Sequence, residues 1–551
     1  MTFCLVCPAV PPVRGVRPRT GRPRDLGPPT AGAPPGTDDE HPPERPAVRR
    51  PALIGSMTFL TTLTRRRPTL PPLRTLRVEV LAGLVVALAL IPEAISFSII
   101  AGVDPGVGLY ASFVMAVVIS IVGGRKAMIS AATGAMALVV APLSINHGLG
   151  YLIAAVVLGG VFQVAMGALG VARLMRFVPR SVMVGFVNSL AILIFLAQVP
   201  ELQDVPWAVY PLVAAALVIM VLFPRLTKVV PAPLVSIIAL TALTIGAGLA
   251  VPTVGDKGAL PSSLPVPGIP DVPFTMETLT LIAPYAFAFA LVGLMESLMT
   301  AKLVDDITDT HSNKTRESVG QGIANIVTGF FGGMGGCAMI GQTMINVKTS
   351  GARTRLSTFL AGVFLMVLCI AFGPWVSQIP MAALVAVMII VSVSTFDWHS
   401  VAPSTLKRMP VAETVVMAVT VVAVVATHNL AIGVVTGSVV AFIAFARRVA
   451  HLVDVSSVAD PDGGQVVYVV KGELFFASSN DLVYQFDYAG DPEHVVVDLT
   501  HAHIWDASTV AALDAIATKY ADKGKTLEIV GLNKHSAALH DRLTGELAGS
   551  H

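Results

Sequence analysis

Charged side chains are scarce in this sequence. Asp, Glu, Lys and Arg make up 13% of its 551 residues, where a soluble domain runs near a quarter. Three stretches, 129–172, 181–200 and 356–396, carry none at all. With a mean hydropathy of +0.74, this excludes an ordinary soluble chain and leaves a membrane protein. An excess of either sign is missing too. The formal net charge is +2, which by itself argues neither for nor against nucleic acid. Cysteine is nearly absent, with four in all. Cys4 and Cys7 form a CxxC with no second pair, which is not a metal site, and Cys337 and Cys369 read as packing residues in apolar segments. No disulfide framework follows. The twelve histidines are scattered, His501 and His503 coming closest to a cluster, and none has metal spacing. No nucleophile–base pair emerges, so no enzyme is expected.

What is present begins with a tail. Residues 1–56 are rich in Pro, Arg and Gly and are expected to be disordered, with no apolar run long enough for a signal-peptide core. Met57 opens MTFLTTL just ahead of the first span, a second candidate start beside Met1, and 57–77 is a basic lead-in. Fourteen apolar segments follow, near 78–100, 108–123, 127–145, 150–171, 178–199, 208–223, 229–251, 279–303, 317–333, 336–347, 355–373, 380–396, 410–427 and 429–446. The third and tenth are short and rich in Gly or Ala. They hold the same ordinal in two sets of seven, the pattern of an inverted repeat with discontinuous helices. Basic residues check the count. With the N-terminus inside, the inner loops collect Arg65 to Arg67, Arg125, Lys126, Arg173, Arg176, Arg180, Arg225, Lys228, Lys302, Lys314, Arg316, Lys348, Arg353, Arg355, Lys407, Arg408, Arg447 and Arg448. The outer loops hold acidic residues and one basic residue, Lys257. Both termini are therefore expected in the cytoplasm. After a transport domain at 78–449 and a linker at 450–463, the composition turns soluble. At 464–551, strands at Val466–Phe476, Val495–Leu499 and Leu527–Leu532 and helices at Thr509–Tyr520 and Ser536–Leu543 predict a small α/β domain.

The stretch Leu291 to Leu356 concentrates the chemistry. One carboxylate, Glu296, sits inside the eighth span with Thr300 a turn later, and Gly332 to Gly336 break the chain just ahead of the tenth. An ionisable group within a span is a functional hypothesis by default. A glycine-interrupted segment places a bare helix N-terminus at the bilayer midplane, where its unpaired amides and partial positive charge suit an anion. The competing reading is that the broken segments are ordinary small-residue packing faces.

Three stretches resemble the SulP family of anion transporters. Pro92 to Phe113, PEAISFSIIAGVDPGVGLYASF, is similar to the family's first-helix signature, above all in PGVGLYASF. Gly320 to Gly333, GQGIANIVTGFFGG, is similar to its ninth helix and the following turn, and the C-terminal piece resembles a STAS domain. The resemblance implies an all-α polytopic domain of seven plus seven inverted helices, divided into core and gate, and a homodimer. It also implies that the third and tenth half-helices face each other across the substrate. By position, Thr133, Gly134 and Ala135 match the third-segment motif, and Ala338, Met339 and Ile340 the tenth. Glu296 and Thr300 match an acidic residue and hydroxyl on the eighth helix, where bicarbonate transporters of the family use an aspartate for sodium. The longer glutamate leaves a proton open as well as Na+, the latter at Glu296, Thr300 and Ala338. Two further departures are Gln342, where many members carry arginine, and Glu93, where an uncharged residue is commoner.

Each of these residues has a plainer reading. Glu296 is either the coupling acid or a structural carboxylate capped by backbone or hydroxyl donors; Glu93, after Pro92 in a helix whose ladder is broken there, is either a second coupling acid or a residue shaping the cavity. Gln342 and Asn188 are candidate polar liners, and Ser130 and Thr343 are weaker ones because hydroxyls often bond the preceding turn. In the C-terminal domain Ala507 stands where phosphorylatable relatives carry serine, with Ser508 next to it, so a docking domain without phosphorylation is expected, open to a cytoplasmic regulator. The expected function is secondary active transport of a small inorganic oxyanion, sulfate or bicarbonate, symported with H+ or Na+ in the cytoplasmic membrane. The expected partners are the anion and the lipid bilayer, with no nucleic acid and no cofactor beyond the coupling ion. A dicarboxylate carrier, an anion exchanger and a channel-like or sensory protein signalling through the STAS domain are the alternatives.

Overall fold

The computed structural model describes residues 72–170, 178–227, 230–450, 453–459 and 464–545. The tail, most of the basic lead-in, Arg173, Arg176 and Lys228 lie outside the described residues. Each apolar segment of the sequence forms a helix. In the first half these are α1 (Leu73–Ile100), α2 (Pro105–Val122), α3 (Gly134–His147), α4 (Leu149–Ala168), α5 (Arg180–Leu196), α6 (Val209–Leu226) and α7 (Ala232–Gly246). The second half supplies α8 (Met276–Thr308), α9 (Lys314–Phe330), α10 (Ile340–Met344), α11 (Arg355–Val376), α12 (Met381–Thr395), α13 (Val411–Thr427) and α14 (Leu430–Ala450). Among the described residues, eight helices are long and apolar enough to cross a membrane, and α3, α7, α12 and α13 are shorter apolar helices. Their starts follow local chemistry: the side chains of Thr133, Thr275, Asn313 and Thr354 each accept an amide of the first turn.

The helices sort into two packing groups. α2, α3, α4, α8, α9 and α11 pack on one another, and so do α5, α6, α7, α12, α13 and α14. α1 lies on α11, where Gly83 abuts Leu360 and Ser357. Contacts of α3 with α5 and of α8 with α14 bridge the groups. The α4–α9 crossing is a close one, backbone against backbone at paired glycines. A Cβ on Gly160 would come 2.7 Å from the Gly322 carbonyl, and one on Gly322 2.6 Å from the Gly160 carbonyl. Only glycine on both sides lets the backbones touch there.

Both short segments are broken as their position in the two sevens predicts. Strand β1 (Ser130–Ala131) precedes α3, and β2 (Cys337–Ala338) precedes α10. The two strands pair antiparallel, Ser130 with Ala338 and Ala131 with Cys337. α10 then runs on as a π-helical turn, Ile345–Thr349. In α1, by contrast, the helix passes through Pro92 without ending, and Glu93 follows a residue that has no N–H to give to the ladder.

The C-terminal domain is a four-stranded sheet in the order β3 (Asp454–Ala459), β4 (Gln465–Leu474), β5 (His494–Ile504), β6 (Thr526–Val530). β3 runs antiparallel to β4, and the other two pairs are parallel. Helices α15 (Phe476–Leu482), α16 (Ala507–Ala521) and α17 (Lys534–Leu543) complete it. Alternate residues Val466, Tyr468 and Val470 of β4 and Val495, Val497 and Leu499 of β5 join Val510, Leu513, Ile516 and Tyr520 of α16 in one core. The expected linker at 450–463 is corrected here. It contains β3, an edge strand whose mostly exposed residues lack the apolar alternation that would have marked it.

Candidate functional site

The site is built where β1 and β2 meet. Asn325 of α9 fixes the approach to β2: its Oδ1 accepts from Gly336 N at 2.8 Å, while its Nδ2 donates to Gly336 O at 3.0 Å and to Gln163 Oε1 at 2.9 Å. Gly335 makes the turn at φ +73°, and a Cβ on Gly336 would fall 2.0 Å from the Ala131 carbonyl. Ser297 of α8 accepts the Ala338 amide at 3.1 Å, and Ile129 O accepts the Met339 amide at 2.9 Å. On the other strand, Ser130 Oγ accepts from Gln321 Nε2 at 2.7 Å, and Thr343 Oγ1 accepts from Ile129 N at 3.0 Å.

Within this framework the Ala338 and Met339 amides are already engaged, and α10 begins at Ile340, followed by Gly341 and Gln342. On α3, Thr133 Oγ1 caps Met136 N at 3.3 Å, leaving Gly134 and Ala135 as the leading residues of the helix. Gly134 is closely covered: a Cβ there would stand 2.9 Å from the Phe97 ring of α1 and 3.0 Å from Ile194 of α5. A cavity of about 440 Å³ opens elsewhere, at the α1–α2 and α3–α4 turns, where Asp104, Glu201 and Lys257 line it. Lys257 is paired there with Glu201 at 2.7 Å.

Glu296 is buried, 8% exposed, and turned to the strand pair. Its Oε2 accepts the Cys337 thiol at 2.9 Å, and Cys337 Sγ lies 3.1 Å from Thr133 Oγ1. Thr300 donates to the Glu296 backbone carbonyl at 2.8 Å, and its Oγ1 stands 3.5 Å from Ala338 O. Glu93, half-buried, is hydrogen-bonded by the Gln342 side chain. The structure thus brings Thr133, Cys337, Glu296, Thr300 and Ala338 together, and Glu93 with Gln342. No lysine or arginine is among them. Asn188 is not part of this group. It donates to Ser400 Oγ at 2.9 Å and accepts from Asp397 N at 2.8 Å, tying α5 to the α12–α13 connection.

Sequence reasoning took Cys337 for packing and passed over Ser297 and Asn325. A signal was there, since Gln321, Asn325 and Thr328 recur on one face of α9 and all three are fully buried. In the C-terminal domain, Asp506 caps α16, accepting from Thr509 N at 3.2 Å and from Phe476 N at 2.7 Å, with Ala507 and Ser508 exposed beside it.

Comparison with known proteins adds three findings. The sequence profile described as "Sulfate permease family" matches residues 76–208 and 200–420, and that of the STAS domain matches 457–544. A putative sulfate transporter of Bacillus subtilis, YbaR, is 55% identical over 84% of this chain and 96% of its own length. The bicarbonate transporter BicA of Picosynechococcus sp. is 24% identical over 83% of this chain and 89% of its own. Among solved structures, murine Slc26a9 in the inward-facing state has the same fold, with a TM-score of 0.73 at 16% identity over 86% of this chain and 88% of that one.

Proposed function

This chain belongs to the sulfate permease family, a multi-pass membrane protein among transporters rather than enzymes, and on that footing we propose that it is a secondary active symporter of a small inorganic oxyanion and protons. The observation that carries the reading is the buried Glu296 carboxylate, joined through one thiol to the residue that caps α3. The anion would lie ahead of Gly134 and Ala135 on one side and Ile340, Gly341 and Gln342 on the other, held by first-turn amides without a basic side chain. Glu296, Thr300 and Glu93 form the coupling side. A carboxylate in a span must bind a proton or a cation to be neutral, and either event then governs the anion beside it.

A proton is preferred to a metal ion because the sulfur against the carboxylate is a poor ligand for a hard cation. Sodium is the second reading, supported by Thr300 Oγ1 and Ala338 O standing 3.5 Å apart next to Glu296. Sulfate and bicarbonate are both retained as substrates, since the relatives are named for one or the other. We place the transport domain at 78–449 in the cytoplasmic membrane with both termini inside, as a homodimer, with the STAS domain a docking and regulatory appendage.

The test is uptake of labelled sulfate and labelled bicarbonate into proteoliposomes under separately imposed pH and Na+ gradients, repeated with Glu296→Gln. Accumulation above equilibrium that follows the pH gradient, and its loss in the variant, is the expected result. Downhill leakage alone would mean a channel. Transport by Glu296→Gln with unchanged cation dependence would remove the coupling role.

A further inference from the structure

Thr133, Cys337 and Glu296 form a hydrogen-bonded row with a direction. The Cys337 thiol donates to Glu296 Oε2 at 2.9 Å. Its one hydrogen being used there, the 3.1 Å contact with Thr133 must be the Thr133 hydroxyl donating to sulfur. Thr133 Oγ1 meanwhile accepts from Met136 N at 3.3 Å. With Glu296 ionised, then, the hydroxyl at the head of α3 has its hydrogen committed to the Cys337 sulfur. All three side chains are buried.

We propose that this row is a relay in which proton binding to Glu296 releases the Thr133 hydroxyl to donate to the anion. A proton arriving from solvent forms an O–H bond on Glu296 Oε2, the oxygen that faces Cys337, and that O–H donates to Cys337 Sγ. The thiol, unable to donate into a donor, turns to Thr133 Oγ1. Thr133 keeps its second lone pair for Met136 N, and its O–H is set free toward the first turn of α3. No bond other than the new O–H forms, and loss of the proton on the far side restores the first row. The anion meets one more donor when Glu296 is protonated, so the two bind together. Sodium at Glu296 brings no hydrogen and does not turn the row.

The other charged groups of these elements are few and lie mostly at helix ends. On the elements packed against α8, α3 carries only His147 in its last turn, and α4 carries no charged residue. Lys314, Arg316 and Glu317 lie in the first turn of α9, where Glu317 accepts from Gly124 N at 2.7 Å and from Gln321 at 2.9 Å. Arg447 and Arg448 lie in the last turn of α14, and the charged residues of α8 itself other than Glu296 are Glu277, Lys302, Asp305 and Asp306 at its ends. Glu93 on α1 is held by Gln342. Cys337 is the group that acts on Glu296.

The relay rests on the proposed function and is tested so that the two can fail separately. The readouts are KM for uptake by the full-length protein in proteoliposomes as a function of external pH, and proton uptake on addition of sulfate or bicarbonate to purified protein in weak buffer. The wild type and Cys337→Ser, whose hydroxyl can both donate and accept, are expected to show KM rising with pH and to take up protons with the anion. Cys337→Ala and Thr133→Val cut the row at two points; each should bind anion on the order of tenfold or more weakly at acid pH and take up no proton with it, because one donor to an anion is lost. A packing role for Cys337 would weaken transport without flattening the pH profile. If Cys337→Ala does not fold, wild-type proton uptake by Thr133→Val overturns the relay on its own. If Glu296→Gln abolishes the pH dependence while Cys337→Ala or Thr133→Val keeps it, the relay is wrong and the symport reading stands. If Glu296→Gln keeps it, both go.

Discussion

Asn325 is the residue on which the placement of β2 depends, and its removal should be felt in both stability and transport. It is fully buried on α9, and it satisfies both polar groups of the Gly336 peptide position, the N–H at 2.8 Å and the C=O at 3.0 Å, while donating to Gln163 at 2.9 Å. Gly336 is itself buried, so water does not take over these bonds without entering the packed interior. Each buried group left without a partner costs about 1–3 kcal/mol. Asn325→Ala strands the Gly336 N–H and C=O and the Gln163 carbonyl, and opens a small void. The expected loss is about 3–5 kcal/mol, at the upper end of what single substitutions do. Asn325→Asp preserves volume and the bond from Gly336 N but sets an oxygen against two acceptors, so shape alone should not rescue it. The assay is the melting midpoint of detergent-purified protein, read as the folded fraction surviving heating, alongside anion uptake. A drop of several degrees in both variants, with uptake lost because Cys337 and Ala338 follow directly on Gly336, is the expected result. Both variants melting with the wild type would refute the account of how β2 is held.

Two further predictions concern the scaffold. Glu79 of α1 is 1% exposed and accepts from Arg353 N at 2.8 Å, Thr354 N at 2.9 Å and Ser357 N at 3.1 Å, which are the amides at the start of α11. Charge-assisted bonds of this kind are worth about 1.5–3 kcal/mol each, so Glu79→Ala should lower the melting midpoint strongly and Glu79→Gln, which keeps one acceptor oxygen, by less. Equal melting of Gln and Ala variants would show that the charge and its acceptors do not matter. At the α4–α9 crossing, Gly322→Ala should destabilise and Gly322→Val should do so further, by about 1–3 kcal/mol or more, since the added carbon meets the Gly160 carbonyl at 2.6 Å. Wild-type melting of the valine variant would mean the helices are not in contact there.

The sequence carried the helices and the breaks because both leave compositional marks. A span needs a long apolar run, and a chain that breaks its helices at matched places in two halves marks the breaks with glycine and alanine, as at Thr133–Ala135 and Gly335–Cys337. Glu296 was equally visible, a lone carboxylate in an apolar run. What surrounds it was not. Cys337 is apolar by composition and a hydrogen-bond donor by geometry, and only the strand pairing of Ala131 with Cys337 puts its sulfur between Thr133 and Glu296. Asn188 failed in the opposite sense: a polar residue in a span suggested a lining, but its amide is complementary to a loop that comes from residues far along the chain, Asp397 and Ser400. β3 was missed because an edge strand with solvent on its outward residues needs no apolar alternation.

The charge balance of the site then bears on the anion. Two carboxylates, Glu296 and Glu93, stand near the helix starts, Glu93 beside Gln342, with no basic side chain among the named contacts. A basic side chain there would hold an anion but, staying with the protein, would offset none of the charge carried across. Each charge carried inward against an inside-negative potential costs about 2.3 kcal/mol per 100 mV, and a divalent anion twice that. One protonated carboxyl offsets a monovalent anion such as bicarbonate, whereas sulfate needs both. The two acids are not equivalent, however. Glu296 is sealed behind Cys337 and linked to α3, while Glu93 is half-buried and linked to α10 through Gln342. Under the proposed mechanism, then, a proton at Glu296 would act through Thr133 on α3 and one at Glu93 through Gln342 on α10, and sulfate should be accompanied by two protons where bicarbonate is accompanied by one.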